Sequence, residues 1–400
     1  MYRNDGANAG PSGSFVEGDP IAGVPPTEVS GPWLTETQEE IAGVIEGAGL
    51  VLAKGNNTQL RQAIGLVAAR RNVFKNWLLN GGPQVAQRGV DSAAAGAARY
   101  SSCDRWLVYP GGGTGAARTV GQVGSTPTEQ ELTRWRGAMF WQQTIAASTT
   151  APYLAQRIEG TAGLSATKVT ASFFAKLTAL SSGTTVVLTP SMIQNFGSGG
   201  SAAVTVLASN ITLTMGGALA RFSATFDLAS IIGKTVSQET DYTEFRLTGP
   251  TGVTFTVSFT GLQVELGAVP TEFEVRSVAQ ELVLCRRYYE VSYGGTASAW
   301  FHSASNAGSV AEDRGEVSGW DAVTLARALQ RPFQMAKRAA PTMVWYSPVT
   351  GAAGNIYWEG ADRAVVSTNG ASAASTGFPG VAVSRAGSQV RAHWTADAEL

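Results

Sequence analysis

The sequence predicts a mainly β protein: a short N-terminal helical segment with coiled-coil spacing, a jelly-roll β-sandwich, and a smaller C-terminal β-sandwich that forms a tip. Three observations carry this expectation. Over residues 83–275, short alternating or β-branched runs such as "TKVTASFFAKL", "GTTVVLTP" and "GVTFTVSFTGLQVEL" recur between Gly, Ser, Thr and Pro, as in a sandwich or jelly roll. Clear helical periodicity is concentrated before Pro83. Charged residues reach only 15% against about 25% in ordinary soluble domains, and 47 glycines are present, so Ser, Thr, Gly and Asn must cover much of the surface.

Residues 1–32 are rich in Gly and Pro and lack periodicity, which predicts an extended arm that a partner orders. Residues 33–82 form the helical segment. In "WLTETQEEIAGVIEGAGL", Thr35 and Gln38 have capping-box spacing and Gly49 provides a stop. The second helix is expected to open at Asn57 or Thr58 and run to Gly81 and Gly82. In it Leu60, Ile64, Val67, Arg71, Phe74 and Leu78 alternate by four and three residues, the step of a coiled-coil seam. Leu60, Ile64, Val67, Phe74 and Leu78 are therefore the expected coiled-coil seam, with a helical hairpin as the alternative. After the jelly roll, residues 276–293 read as a connecting helix and strand, with Val278, Leu282 and Cys285 on one face. Strand-like runs in residues 294–400 form the tip.

Composition excludes several function classes. With 29 basic and 30 acidic side chains the net charge is −1, which gives no field to collect nucleic acid or an anionic membrane surface. No window approaches the roughly 18 apolar residues of a bilayer span, and the first thirty residues do not read as a secretion signal. The only cysteines, Cys103 and Cys285, read as reduced, buried thiols of a chain made in a cytosol. Arg286 and Arg287 beside Cys285 would favour a thiolate, but an apolar helix face raises a thiol's pKa, so Cys285 reads as structural.

The chemical motifs are weak. "GGGTGAA", Gly111 to Ala117, fits G-x-G-x-x-A, yet a pyrophosphate site needs a helix to start there and "ARTVGQVGSTPTEQ" reads as loop. His302 and His393 lie far from each other and from any cysteine pair, which disfavours zinc. No cofactor is expected. A structural calcium ion is the only metal reading retained, with Asp104, Asp227 and Asp241 as carboxylates that lack an EF-hand spacing. No G-x-S-x-G elbow is present and acidic residues are scarce in the β regions, so the chain reads as a non-enzyme. Ten Trp and ten Tyr remain, and an exposed ring presents an apolar face to a pyranose. Trp106, Phe140 and Trp141 read as core, whereas Trp320, Trp345, Tyr357 and Trp358, near Gly- and Ser-rich turns, are the candidate glycan contacts.

Several long strings carry a family resemblance. "GDPIAGVPPTEVSGPWLTETQEEIAGVIEGAGLVLAKGNNTQLRQAI" resembles the head of bacteriophage and prophage tail-fibre proteins. "NWLLNGGPQVAQRG" with "YSSCDRW", and then "GLQVELGAVPTEFEVRSVAQELVLCRRYYE", resemble the start and end of a carbohydrate-binding-module-like jelly roll in such fibres. "MAKRAAPTMVWYSPVTG" and "WTADAEL" resemble the tip that follows it. Gly82 and Pro83 stand where the family often has Asp-Phe, so no role of that Asp carries over.

The resemblance implies a homotrimeric virion fibre. Residues 1–32 would bind a tail or baseplate protein, and the β domains would adsorb to a bacterial surface polysaccharide, with no nucleic acid bound and no membrane insertion. A structural adaptor or capsid or neck decoration fibre, and a polysaccharide depolymerase tailspike, are the alternatives.

Overall fold

The computed structural model describes residues 3–70, 74–88, 91–94, 98–112, 117–135, 137–144, 150–292, 317–319, 331–347, 353–358, 361–364, 377–378 and 390–400. The chain divides into two units, Met1–Val73 and Phe74–Leu400.

In the first unit the predicted arm folds back on itself: the Glu28 amide donates to the Ala7 carbonyl (2.9 Å) and the Thr27 amide to Val16 (3.0 Å). Side chains fix the turns, with Thr27 Oγ1 accepting from the Val16 amide and Asp19 Oδ1 from the Ile21 amide. Helix α1 (Gly31–Gly47) starts four residues before the expected cap, because Ser30 Oγ accepts from the Trp33 amide and proline occupies the first turn. Gly49, just past its end, has φ +84°, the left-handed conformation expected of a glycine stop. Helix α2 (Gln59–Arg70) packs against α1 as a hairpin that buries Ile45, Ala48 and Ala63.

The seam requires a correction. Leu60, Ile64 and Val67 lie on α2 and are exposed, but α2 ends at Arg70 and Arg71 lies outside the described residues. Phe74 has φ +63° and Leu78 is wholly buried in the sandwich core, so neither continues the helix. The four-three step continues in the sequence, yet sandwich burial at Leu78 outweighs local helical spacing.

The second unit contains strands β1 (Asp91–Ala94), β2 (Arg99–Tyr100), β3 (Leu107–Tyr109), β4 (Ala117–Gly124), β5 (Gly137–Thr144), β6 (Tyr153–Glu159), β7 (Lys168–Leu180) and β8 (Thr185–Asn195). They are followed by β9 (Val204–Leu207), β10 (Ile211–Thr214), β11 (Ala220–Asp227), β12 (Tyr242–Thr248) and β13 (Phe255–Leu266). Two antiparallel sheets, β1-β4-β5-β13-β7-β11 and β10-β8-β12-β6-β3-β2 with β9 on β8, stack as the predicted sandwich. Inward residues of both sheets meet between them: Trp141 sets its edge on Phe255 (5.1 Å, 83°) and Phe173 on Phe259 (5.8 Å, 61°). Trp106 and Trp141 are core as expected; the side chain of Phe140 lies outside the described residues.

A bulge in β13 between Thr260 and Gln263 receives the segment before Pro83. Gly81 accepts from the Leu262 amide at 2.8 Å, and a Cβ on Gly81 would lie 2.0 Å from the Leu262 carbonyl oxygen, so only glycine fits. The stretch after Gly111, expected to be loop, is strand β4 and then helix α3 (Pro127–Thr133), opened by a capping box of Thr126 and Glu129. No helix starts at Ala117, so the glycine-rich match has no phosphate geometry.

Helix α4 (Val278–Arg286), with its Ser277–Gln280 capping box, leads into β14 (Tyr289–Val291). Its buried face is Glu281 and Cys285, whereas Val278 is exposed and Leu282 half-buried, which corrects the predicted apolar face. Glu281 is tolerated there because it accepts from the Asn80 amide (2.8 Å) and faces Arg276 (3.4 Å). Arg287 reaches Glu159 at 2.7 and 2.9 Å and Arg286 donates to Gln334, while Glu274 serves Arg276. Both cysteines are free and buried; burial pushes the Cys103 thiol up to about 12 and Cys285 well above its usual range.

The C-terminal strands of this unit are β15 (Val317–Gly319), β16 (Arg331–Pro332), β17 (Thr342–Tyr346), β18 (Asn355–Trp358), β19 (Ala361–Ala364), β20 (Gly377–Phe378) and β21 (Val390–Asp397). Strand β21 pairs with β14, β15, β17 and β18. Its last residue and those just after it dock on the sandwich: Arg105 pairs with Glu399, Arg88 lies 3.3 Å from both Asp397 and Glu399, and Tyr100 Oη donates to the Leu400 carbonyl at 3.0 Å.

Asp104 lies beneath this junction, accepting from the Gln87 amide (2.9 Å) and facing Arg88 (3.9 Å). Burial raises its pKa to about 6, against the pull of Arg88. Because the folded-state value lies above the ordinary one, Asp104's stabilising contribution is complete below the ordinary pKa and is lost as pH rises through about 6. A carbon-13 titration of the folded chain is expected to place the Asp104 midpoint near 6; a midpoint below 4.5 would refute this.

Candidate functional site

Strict alternation in the second sheet turns one set of side chains outward while Val108, Leu154, Ile158, Phe245 and Leu247 fill the core. Register then places Tyr109 opposite Tyr153, Arg157 opposite Glu244, and Glu159 opposite Tyr242. The outward groups form a diagonal ladder. Tyr109 and Tyr153 stack at 5.1 Å and 29°, and the Arg246 guanidinium lies 3.9 Å over the Tyr153 ring. Glu244 then accepts from Arg246 Nε (2.7 Å) and Arg157 Nε (3.0 Å), and Arg157 lies 4.4 Å over Tyr242.

Glu244 is buried and its two oxygens are divided between the arginines, so they are fixed in orientation. Burial is the largest influence on Arg157 and works against its charge, but the hydrogen bond to Glu244 together with the charge interactions with Tyr100, Glu244 and Tyr242 raises the pKa. Burial also raises Tyr153, which keeps its phenol protonated at neutral pH and able to donate. The three tyrosine rings are half-buried, and guanidinium groups are held among them, so aromatic and fixed polar groups share one patch of this sheet face.

The sequence-predicted contacts lie elsewhere. Trp345 is on β17 opposite Trp394 and is buried, so its ring is not an exposed platform. Tyr357 and Trp358 lie on β18 opposite Arg391 and Val390, with side chains outside the described residues; Trp320 is outside them altogether. The three calcium candidates are apart and each has protein partners: Asp104 has Gln87, Asp227 has Lys168 (2.5 Å), and Asp241 Oδ2 accepts from the Thr161 amide (2.7 Å) and hydroxyl (2.8 Å). Among the described residues no group of three or more His, Cys, Asp or Glu side chains is placed to hold a metal ion.

The ladder was missed in the sequence, although "YLAQRIE" and "YTEFRLT" both carry Tyr, Arg and Glu at even spacing along one strand face. Such alternation marks an outward strand face that is not merely polar.

No family model matches the chain. Over 85 residues it is 34% identical to the uncharacterized protein StfP of Escherichia coli K12, a match covering 21% of this chain and 40% of that protein. The chain thus spans less than half of that relative. Among solved structures it is similar to a CBM4 module (TM-score 0.29, 15% identity, 47% of this chain and 98% of that one). It is also similar to the CBM22-1 xylan-binding domain of Paenibacillus barcinonensis Xyn10C (0.29, 9%, 49% and 96%). A third is the enzymatically active domain of bacteriophage CBA120 tailspike protein 4 (0.26, 12%, 48% and 22%).

Proposed function

We propose that this chain is a homotrimeric bacteriophage or prophage tail-fibre protein that attaches to the virion through residues 1–32 and adsorbs to a bacterial surface polysaccharide. The Tyr109–Tyr153–Arg246–Glu244–Arg157–Tyr242 ladder carries the glycan part of this reading, because stacked phenol rings and fixed guanidinium donors share one sheet face. Support for the fibre part comes from the long resemblances in the sequence. Trimerisation is supported by the apolar residues that the helical hairpin leaves exposed, among them Leu34, Ile41, Leu60, Ile64 and Val67. Three copies would make weak single-site binding effective through simultaneous engagement.

The test uses the purified full chain. Native mass spectrometry is expected to give three chains per particle, and host cells or their extracted envelope polysaccharide are expected to retain it. Tyr153→Ala should lower retention about tenfold, the loss of one aromatic contact, with the mass unchanged. A monomeric mass, or unchanged retention in the folded variant, would overturn the corresponding part.

A further inference from the structure

A second recess lies away from the tyrosine ladder. It is a cleft of about 1060 Å³ between the end of β4, helix α3, the Pro83–Gln84 segment and the start of α4. Trp135 lines it. The indole is held in place by its surroundings: a Cβ on Gly82 would lie 1.9 Å from Trp135 Nε1 and one on Gly137 3.0 Å away, so two glycines make room for the ring. Phe273 meets it edge-on at 5.9 Å and 66°. Immediately before it Arg134 has φ +60°, an uncommon conformation for a non-glycine residue, and Thr133 Oγ1 donates to the Trp135 carbonyl at 3.0 Å.

Two polar atoms at this cleft lack a protein hydrogen-bond partner while being shielded from solvent: Trp135 Nε1, a donor, and Gln84 Oε1, an acceptor. Native structures usually satisfy such groups, and a ligand that draws either into a hydrogen bond recovers part of the penalty. The rest of the lining defines the ligand's character. Glu131 and Arg134 contribute one charge of each sign, so the cleft selects for neither an anion nor a cation. Val275 and Val278, 53% and 54% exposed, add an apolar wall beside the half-buried indole.

We propose that this cleft is a second, separate saccharide subsite that takes one neutral sugar residue, its C–H face against Trp135 and a hydroxyl or acetamido group exchanging hydrogen bonds with Gln84. The choice of a saccharide rests on the glycan reading above; the cleft and its unpaired groups do not. A hydroxyl or an acetamido group supplies both a donor and an acceptor, which a purely apolar ligand does not.

The experiment is saturation-transfer NMR and calorimetry on the full chain with two neutral probes, chitotriose and maltotriose. At least one is expected to bind saturably. Trp135→Ala should weaken it at least tenfold, as should Gly124→Leu, a side chain grown where a Cβ meets nothing within 4 Å at the cleft wall. The Gly124 variant keeps the test decisive if Trp135→Ala does not fold. Absence of binding by both trisaccharides overturns the subsite while leaving polysaccharide adsorption by the ladder to its own test. Binding lost in Tyr153→Ala and kept in Gly124→Leu assigns the sugar to the ladder alone and equally overturns it. So does loss of self-association in the cleft variants, which would make a second copy of the chain the occupant.

Discussion

Arg105→Ala is expected to lower the unfolding free energy of the second unit by about 3–5 kcal/mol, the usual cost of leaving one member of a buried ion pair alone. Arg105 is 1% exposed, and the side chain of its partner Glu399 is 5% exposed. The guanidinium also lies 3.4 Å over the Tyr288 ring and donates to the Arg157 carbonyl at 2.5 Å, so truncation removes stacking and a backbone bond together. Arg105 has φ +72°, but arginine and alanine both carry a Cβ, so the backbone term is unchanged. Urea unfolding of the full chain measures the loss. Hydrogen exchange should localise it to Tyr289–Val291 and β21, whose pairing the contact anchors. Replacing both partners, Arg105→Met with Glu399→Leu, should cost much less than the single change, because no charge is then stranded. A single variant that loses under about 1 kcal/mol would show that water reaches Glu399 and that the junction rests on strand pairing alone.

Period-two patterning made the sandwich legible. "TKVTASFFAKL", "YTEFRLTG" and "GVTFTVSFTGLQVEL" became β7, β12 and β13, because alternation needs only neighbouring residues to specify which face is buried. Legibility failed wherever a distant partner decided the outcome. Leu78 continues a heptad step, but what places it is the bulge of β13, where the Trp77 amide donates to the Val264 carbonyl at 2.9 Å. The ladder needs the register that brings Arg157 opposite Glu244, and spacing within either strand does not contain it. Trp345 sits in a strand-like run beside turns, and its opposite neighbour Trp394 comes from β21 far along the chain. Helix α3 is a different failure: Thr126, Pro127 and Glu129 are a complete local start signal, hidden by the glycine-rich run ahead of them.

Asn80 is the residue whose loss should be felt most widely. It is wholly buried and every polar group it owns is used. Nδ2 donates to the carbonyls of Val85 (2.8 Å) and Asp104 (3.0 Å), while Oδ1 accepts from the amides of Gln84 (2.9 Å) and Val85 (3.0 Å). Its backbone amide donates to Glu281 at 2.8 Å, and its carbonyl accepts from Trp106 Nε1 at 3.1 Å. One side chain thus ties the segment entering the sandwich to the Cys103–Trp106 turn, and its backbone ties both to α4. Asn80→Ala would leave the Asp104 carbonyl and the amides of Gln84 and Val85 short of a partner inside the protein, at about 1–3 kcal/mol for each group that water cannot reach, while the Val85 carbonyl keeps the Asp104 amide (3.0 Å). It would also put alanine at φ +53°, a conformation that asparagine tolerates better. The sum predicts a loss of about 3 kcal/mol or more, a large fraction of the roughly 5–15 kcal/mol that holds an ordinary domain folded. Asn80→Asp separates the two contributions: it keeps the shape and both amide contacts to Oδ1, but turns the two donor contacts into repulsion between oxygens. It should therefore fall between wild type and alanine in urea midpoint. If Asn80→Ala unfolds at the wild-type midpoint, the turn is held by Gly81 and the β13 bulge, and the asparagine is incidental to it.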